Sequence, residues 1–144
     1  MNLEGILYIS GKQGLFKIVS TSKNKIIIES LFDKKRTAIS SNQQANMLEE
    51  IGIYTYTETV SLSTIFEKIA IKENANKTIS HKSKDDEISS YFREILNEYD
   101  EERVYLSNIK KVIQWYNLLQ ESDLIKLPEK KKKTKKIKKN KDEI

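Results

Sequence analysis

Ten of the chain's lysines fall in its last nineteen residues. From Lys126 to Ile144 the sequence reads KLPEKKKKTKKIKKNKDEI, with ten Lys against Glu129, Asp142 and Glu143, a net of +7. A segment this low in complexity and this self-repelling adds no core, so it is expected to be disordered in isolation, with Pro128 marking the end of order. Only residues 1–125 are left to fold. They hold sixteen basic and eighteen acidic residues, a net of −2. The whole-chain charge of +5 is therefore a property of the tail, on a slightly acidic body. A compact basic tail on such a body reads as an electrostatic tether for polyanions such as RNA, DNA or an anionic surface.

Charged residues make up 33% of the 144 residues and hydrophobic ones 38%. That composition fits one ordinary domain, or two small units plus a tail, with a modest core. The chain has no cysteine, which excludes disulfides, thiolate zinc sites and Cys nucleophiles. The start, Met-Asn-Leu-Glu-Gly, lacks a basic n-region and an apolar h-region. The longest apolar runs are Ile6–Ile9 and Ile26–Ile28, far short of the ~20 residues a bilayer span takes. The expectation is a cytoplasmic protein without a membrane span.

Residues 5–57 read as strands. Gly5–Ile9 is a short apolar run, closed by Gly11 and Gly14, and Leu15–Ser20 resumes it with β-branched and aromatic residues. Thr21–Lys25 is a turn, with Asn24 suited to positive φ. Ile26–Leu31 is the next strand, Asp33-Lys34-Lys35 a turn and Arg36–Ile39 another strand. After a polar loop (Ser40–Asn46), Met47–Glu50 fits one helical turn, and Ile51–Thr57 closes the set. Strands this short, joined this tightly, suggest a small SH3-like antiparallel barrel; an open meander with a helix on one face is the alternative.

Helical periodicity follows. Leu62, Ile65, Phe66 and Ile69 lie at i, i+3, i+4 and i+7, with Ser61 as N-cap and Val60 stapling onto Ile65. Residues 75–83 are polar and aperiodic and read as a linker. Ile88, Tyr91, Phe92, Ile95 and Leu96 then form a second helical face, started by Ser83 and Asp86. Ile109, Val112, Ile113, Tyr116 and Leu119 form a third, capped by Ser107 and widened by Trp115 and Leu118. The reading is an α+β chain: a barrel with a bridging helix over 1–74, a linker over 75–83, a helical hairpin over 84–125 and a disordered tail over 126–144.

Catalytic chemistry finds little purchase. His81, the one histidine, sits among Ser80, Lys82 and Ser83 with no partner nearby in sequence. The clusters Asp85-Asp86-Glu87 and Asp100-Glu101-Glu102 suggest Mg²⁺ or acid–base work, yet the first fits a helix N-terminus and the second an exposed loop. Residues 83–104 carry eight acids against Lys84, Arg93 and Arg103, an acidic stretch onto which the basic tail could fold back. Gly11-Lys12-Gln13-Gly14 lacks the spacing and following helix of a phosphate loop and reads as a strand turn. No metal or cofactor is expected, and no enzyme. Binding residues are easier to nominate. Lys12, Lys34, Lys35 and Arg36 stand in or beside turns, and Tyr8, Phe16, Phe32, Tyr54 and Tyr56 are candidates for base stacking. In an alternating strand Tyr54 and Tyr56 share one face, Ile53 and Thr55 the other, and one face is core. Trp115 reads as either a partner anchor or a core residue.

The stretches Leu3–Ser20 (LEGILYISGKQGLFKIVS), Met47–Glu58 (MLEEIGIYTYTE) and Asp100–Leu119 (DEERVYLSNIKKVIQWYNLL) resemble a family of small uncharacterised cytoplasmic proteins of the Bacteroidota, known as a domain of unknown function. The resemblance covers most of residues 1–120. Many members have Pro where this chain has Gln13, a difference a turn tolerates. The resemblance implies a compact β-then-α body with a variable, often basic end, and implies no activity, cofactor or catalytic residue.

The leading expectation is a non-enzymatic accessory protein that binds RNA or a ribonucleoprotein such as the ribosome. Its nucleic-acid contacts are Lys130, Lys131, Lys132, Lys133, Lys135, Lys136, Lys138 and Lys139 of the tail, with Lys12, Lys34, Lys35 and Arg36 of the body. Trp115 and Tyr56 are the residues nominated for a protein partner. The alternative is a protein-interaction adaptor whose tail only aids solubility.

Overall fold

The computed structural model describes residues 2–40 and 45–127. Pro128 and the eight nominated tail lysines lie outside the described residues, as does the expected disorder of the tail. Five strands, β1 (Ile6–Ile9), β2 (Phe16–Thr21), β3 (Lys25–Ser30), β4 (Arg36–Ser40) and β5 (Ala45–Met47), form one antiparallel sheet in the order β4-β3-β2-β1-β5. A 3-10 turn (Leu48–Glu50) stands where one helical turn is expected. A two-stranded hairpin of β6 (Gly52–Tyr54) and β7 (Thr59–Ser61) follows, then α1 (Leu62–Glu73), α2 (Asp85–Ile95) and α3 (Leu106–Glu121).

The sheet does not close into the expected barrel. No ladder joins β4 to β5 among the described residues, and the segment expected to complete the barrel, 51–57, pairs with β7 instead. Thr55 ends that strand early. Its Oγ1 donates to the Glu58 carbonyl at 2.8 Å and accepts from the Glu58 and Thr57 amides, so it builds a tight turn. Gly52 is needed at this hairpin: a Cβ there would stand 2.5 Å from Thr59 Cγ2 and 3.3 Å from the Val60 carbonyl oxygen.

Alternation along β1 divides the core in two. Ile6 and Tyr8 join the helices, while Leu7 and Ile9 face the other way. Leu7, Ile9, Ile28 and Ile39 are buried together, with the half-buried Phe16, Ile18, Ile26, Ala45 and Met47 packed against them, all of them strand residues. A flat sheet would leave this face wet, so its burial is the work of the sheet's own curl. A register shift between Ile18 and Ser20 strengthens the local twist.

The larger core runs without a break from Leu3 through α1, α2 and α3 to Ile125. Every residue assigned to the three helical faces is in it except Leu118, which packs on its edge. Ser61 caps α1, accepting from the Thr64 amide at 3.2 Å. The other two helices begin slightly off the expected positions. Lys84, not Ser83, precedes α2, and Glu87 accepts from its amide at 3.3 Å. Tyr105 precedes α3, and Asn108 accepts from its amide at 2.8 Å, which leaves Ser107 inside the first turn.

Residues 75–83, expected as a linker, are strapped to α3. Asn117 accepts from the Thr78 amide at 2.9 Å and donates to the Ile79 carbonyl at 3.0 Å. Tyr116 donates its phenol to the Asn76 carbonyl at 2.8 Å, and burial pushes that phenol up to about 12. Tyr91 and Thr78 both donate to Glu73 Oε2, at 2.6 and 3.1 Å, tying the strap to α1 and α2 as well.

Candidate functional site

At one end of the curled sheet the β1–β2 loop, the β3–β4 turn and the last turns of α3 enclose a groove of about 460 Å³. The loop is shaped by two glycines at positive φ, Gly11 (87°) and Gly14 (84°), a conformation that suits glycine. The turn is held by its own hydrogen bonds. Ser30 Oγ accepts from the Phe32 amide at 3.1 Å, and the Lys34 amide donates to the Ser30 carbonyl at 2.9 Å. Asp33 accepts from the Lys35 amide at 3.0 Å, and that bond holds its carboxyl below the usual range. Lys34 takes the left-handed conformation here (φ 64°), whereas Asn24, expected to do so in the preceding turn, does not.

The consequence is an unusual aromatic. Phe32 is 78% exposed, since backbone and side-chain hydrogen bonds rather than its ring close the turn. The groove's apolar wall is Phe16, Ile28, Phe32 and Leu118. Its polar groups are Lys12 and Lys35, with Gln13, Gln114, Ser30, Thr37 and Asp33. Neither Lys12 nor Lys35 forms an ion pair among the described residues. Of the four body cations nominated from sequence, these two line the groove. Lys34 lies in the adjoining turn. Arg36 is bound to Glu29 through Nε at 3.0 Å, and Lys17 approaches the same carboxylate at 3.9 Å.

A second groove, of about 280 Å³, lies between β6 and α3, lined by Tyr54, Arg103, Asn108, Lys111, Val112 and Trp115 among others. Here Arg103 sits 4.2 Å from the Tyr54 ring centroid, and Lys111 sits 5.0 Å from that of Tyr8 and donates to its hydroxyl at 3.1 Å. The partner-anchor reading of Trp115 fails on its burial. It is 6% exposed and packs on Tyr8 with ring centroids 5.2 Å apart, which makes it the seam between sheet and α3. Tyr56 is 61% exposed, beside the Glu101 amide, which donates to its hydroxyl at 3.4 Å. The alternation along β6 and the two residues after it is as expected: Ile53 and Thr55 are buried, Tyr54 and Tyr56 exposed.

Four of the six acidic-cluster side chains are engaged in structure: Asp85, Glu87, Asp100 and Glu101. Asp85 pairs with Lys110 at 3.2 Å and Glu101 with Arg93 at 2.7 Å. Asp100 accepts from Arg103 Nε at 2.8 Å and from the Glu102 amide, which together hold its carboxyl low. No group of three metal-ligating side chains occurs among the described residues, and none of their helices is long and apolar enough to cross a membrane. Partial burial, with Lys82 and Lys110 nearby, lowers the pKa of His81.

Sequence patterning missed Gln114 and Leu118 as groove residues, because their contribution depends on how α3 docks on the sheet. Phe32 did carry a signal: a phenylalanine beside Asp33 in a turn, outside any strand alternation.

Residues 3–48 match the domain of unknown function DUF5606, and residues 51–119 match the domain of unknown function DUF6852. No curated protein matches. A solution NMR structure of a protein from Bacteroides vulgatus, a structural genomics target, is 38% identical over 89% of this chain and 92% of its own, with a TM-score of 0.72. At that identity and coverage the two share a family: the chain belongs with the Bacteroides vulgatus protein, and its own sequence carries the two domains of unknown function in tandem.

Proposed function

We propose that the protein is a non-catalytic accessory factor that binds RNA or a ribonucleoprotein particle, the ribosome being one such particle, in the cytoplasm. The observation that carries this reading is the separation of charge: +7 over residues 126–144 against −2 over residues 1–125. The tail supplies affinity without selectivity, because lysines act on phosphates as point charges and do not read sequence. Selectivity then falls to the body.

The test keeps the full chain and replaces Lys130, Lys131, Lys132, Lys133, Lys135, Lys136, Lys138 and Lys139 with Gln. Binding to a mixed RNA and to duplex DNA is titrated against salt. With about seven lysines on phosphates, the wild type should show a log–log slope of roughly −5 to −6, and the variant should lose most of its affinity and most of that slope. Wild-type binding by the variant refutes the tail's role. A partner that survives nuclease and high salt would favour the adaptor reading instead.

A further inference from the structure

We infer that the groove at the loop end of the sheet seats an unpaired base of single-stranded RNA, stacked on Phe32 with the neighbouring phosphates on Lys12 and Lys35. This deepens the RNA-binding reading and rests on it.

Phe32 is the first ground. A ring exposed to 78% contributes little to the core, and the turn that carries it is closed by Ser30 and Asp33. The sequence keeps a large apolar surface in water where a polar turn residue would serve the fold equally well. Every base offers a π-face of matching shape and chemistry, so an exposed aromatic beside cations is the usual platform for a splayed-out base.

Composition of the walls is the second ground. Phe16 and Leu118 continue the apolar surface behind Phe32, over the buried Ile28, while Lys12 and Lys35 come from the loop and the turn. Both ammonium groups are without ion-pair partners among the described residues, unlike Arg36, Arg93 and Arg103. The side-chain amides of Gln13 and Gln114 line the same groove and are engaged by no other described side chain. Each offers a donor and an acceptor to a base edge. The volume of about 460 Å³ falls in the range of sites for small organic groups, roughly 300–1,000 Å³.

The third ground is what the site excludes. Bases in a duplex have both faces covered by their neighbours, so a stacking seat of this kind selects unpaired nucleotides.

The experiment measures binding of the full chain to a labelled single-stranded RNA of about ten nucleotides, a length within the site sizes of small β-folds, and to a blunt-ended RNA duplex. Phe32→Ala should weaken single-strand binding about 5- to 140-fold, the ~1–3 kcal/mol of base–aromatic stacking at 1.4 kcal/mol per tenfold, and leave duplex binding within about twofold. Phe32→Tyr should retain wild-type binding. Lys12→Gln with Lys35→Gln should flatten the single-strand salt slope by about 1.4, at ~0.7 per phosphate contact. If the wild type binds RNA but Phe32→Ala binds the single strand equally well, the base seat is wrong while the tail's role stands. An unchanged salt slope in the lysine variant removes the phosphate contacts from the assignment. If the wild type binds no RNA at all, the functional reading itself falls.

Discussion

Asn117→Ala should loosen the joint between the two halves of the helical layer. Asn117 is half-buried on α3 and holds residues 78 and 79 by two hydrogen bonds, one accepted at 2.9 Å and one donated at 3.0 Å. Alanine removes both. Each is worth about 0.5–1.5 kcal/mol net, and water can reach this half-buried site, so the full desolvation penalty does not apply. The expected loss is about 1–3 kcal/mol. At a urea m-value of about 2 kcal/mol/M, a loss of 2 kcal/mol lowers the midpoint by about 1 M. Asn117→Asp should not rescue it: its carboxylate still accepts from the Thr78 amide but faces the Ile79 carbonyl, oxygen against oxygen. Urea unfolding followed by circular dichroism gives the midpoint. Amide exchange at Thr78 gives the local effect, which should quicken more than exchange in β1. A midpoint within about 0.25 M of the wild type, about 0.5 kcal/mol at that m-value, with Thr78 protection unchanged, would refute the strap and return residues 75–83 to the status of a free linker.

Two further outcomes follow from the packing. Trp115→Ala should cost about 3–5 kcal/mol, since it empties a buried site against Tyr8, and a urea midpoint unchanged from the wild type would restore the reading of an exposed anchor. Asp100→Asn should be less stable than the wild type at pH 7, because Arg103 and the Glu102 amide stabilise the ionised carboxylate. The folded value lies below the unfolded one, so this contribution is present above an unfolded pKa of ~3.9 and is lost as pH falls through the lowered value. The gap between the two proteins should close on acidification, and a gap independent of pH down to 2 would rule out the charge as its cause.

Much of the fold is legible in local pattern. The helical faces at 62–69, 88–96 and 109–119 follow from spacing alone, because a 3.6-residue period leaves one stripe to bury. Ser61 announces α1 by its chemistry. Strand order and closure are not local properties. Residues 52–54 have the β-propensity of a barrel strand, yet their partner is decided by the turn that Thr55 begins immediately after them. Ala45–Met47 is hidden because three residues at the end of a polar loop give no alternation to read. The strap was unreadable for a related reason: its polar side chains signal a loop, and the groups that fix it, Asn117 and Tyr116, lie about forty residues on. Trp115 shares its helix face with true core residues, and periodicity cannot say whether the face beyond them meets a sheet or solvent.

The body's acidity bears on how the candidate site works. A slightly negative domain repels RNA at long range, so approach depends on the tail. Within a Debye length of about 8 Å, the local balance decides instead. At that range several of the body's carboxylates are paired: Glu29 with Arg36 and Lys17, Glu94 with Lys72, Glu121 with Lys77. The groove beside Phe32 departs from this pattern: Lys12 and Lys35 form no ion pair among the described residues, and the Asp33 carboxylate accepts from the Lys35 amide and is attracted by the Lys35 ammonium. On the proposed RNA-binding reading, attraction at long range and discrimination at short range fall to different parts of one chain. A strand captured by the tail gains from the groove only when it presents an unpaired base, which gives a weakly selective tether a route to prefer single-stranded over duplex RNA.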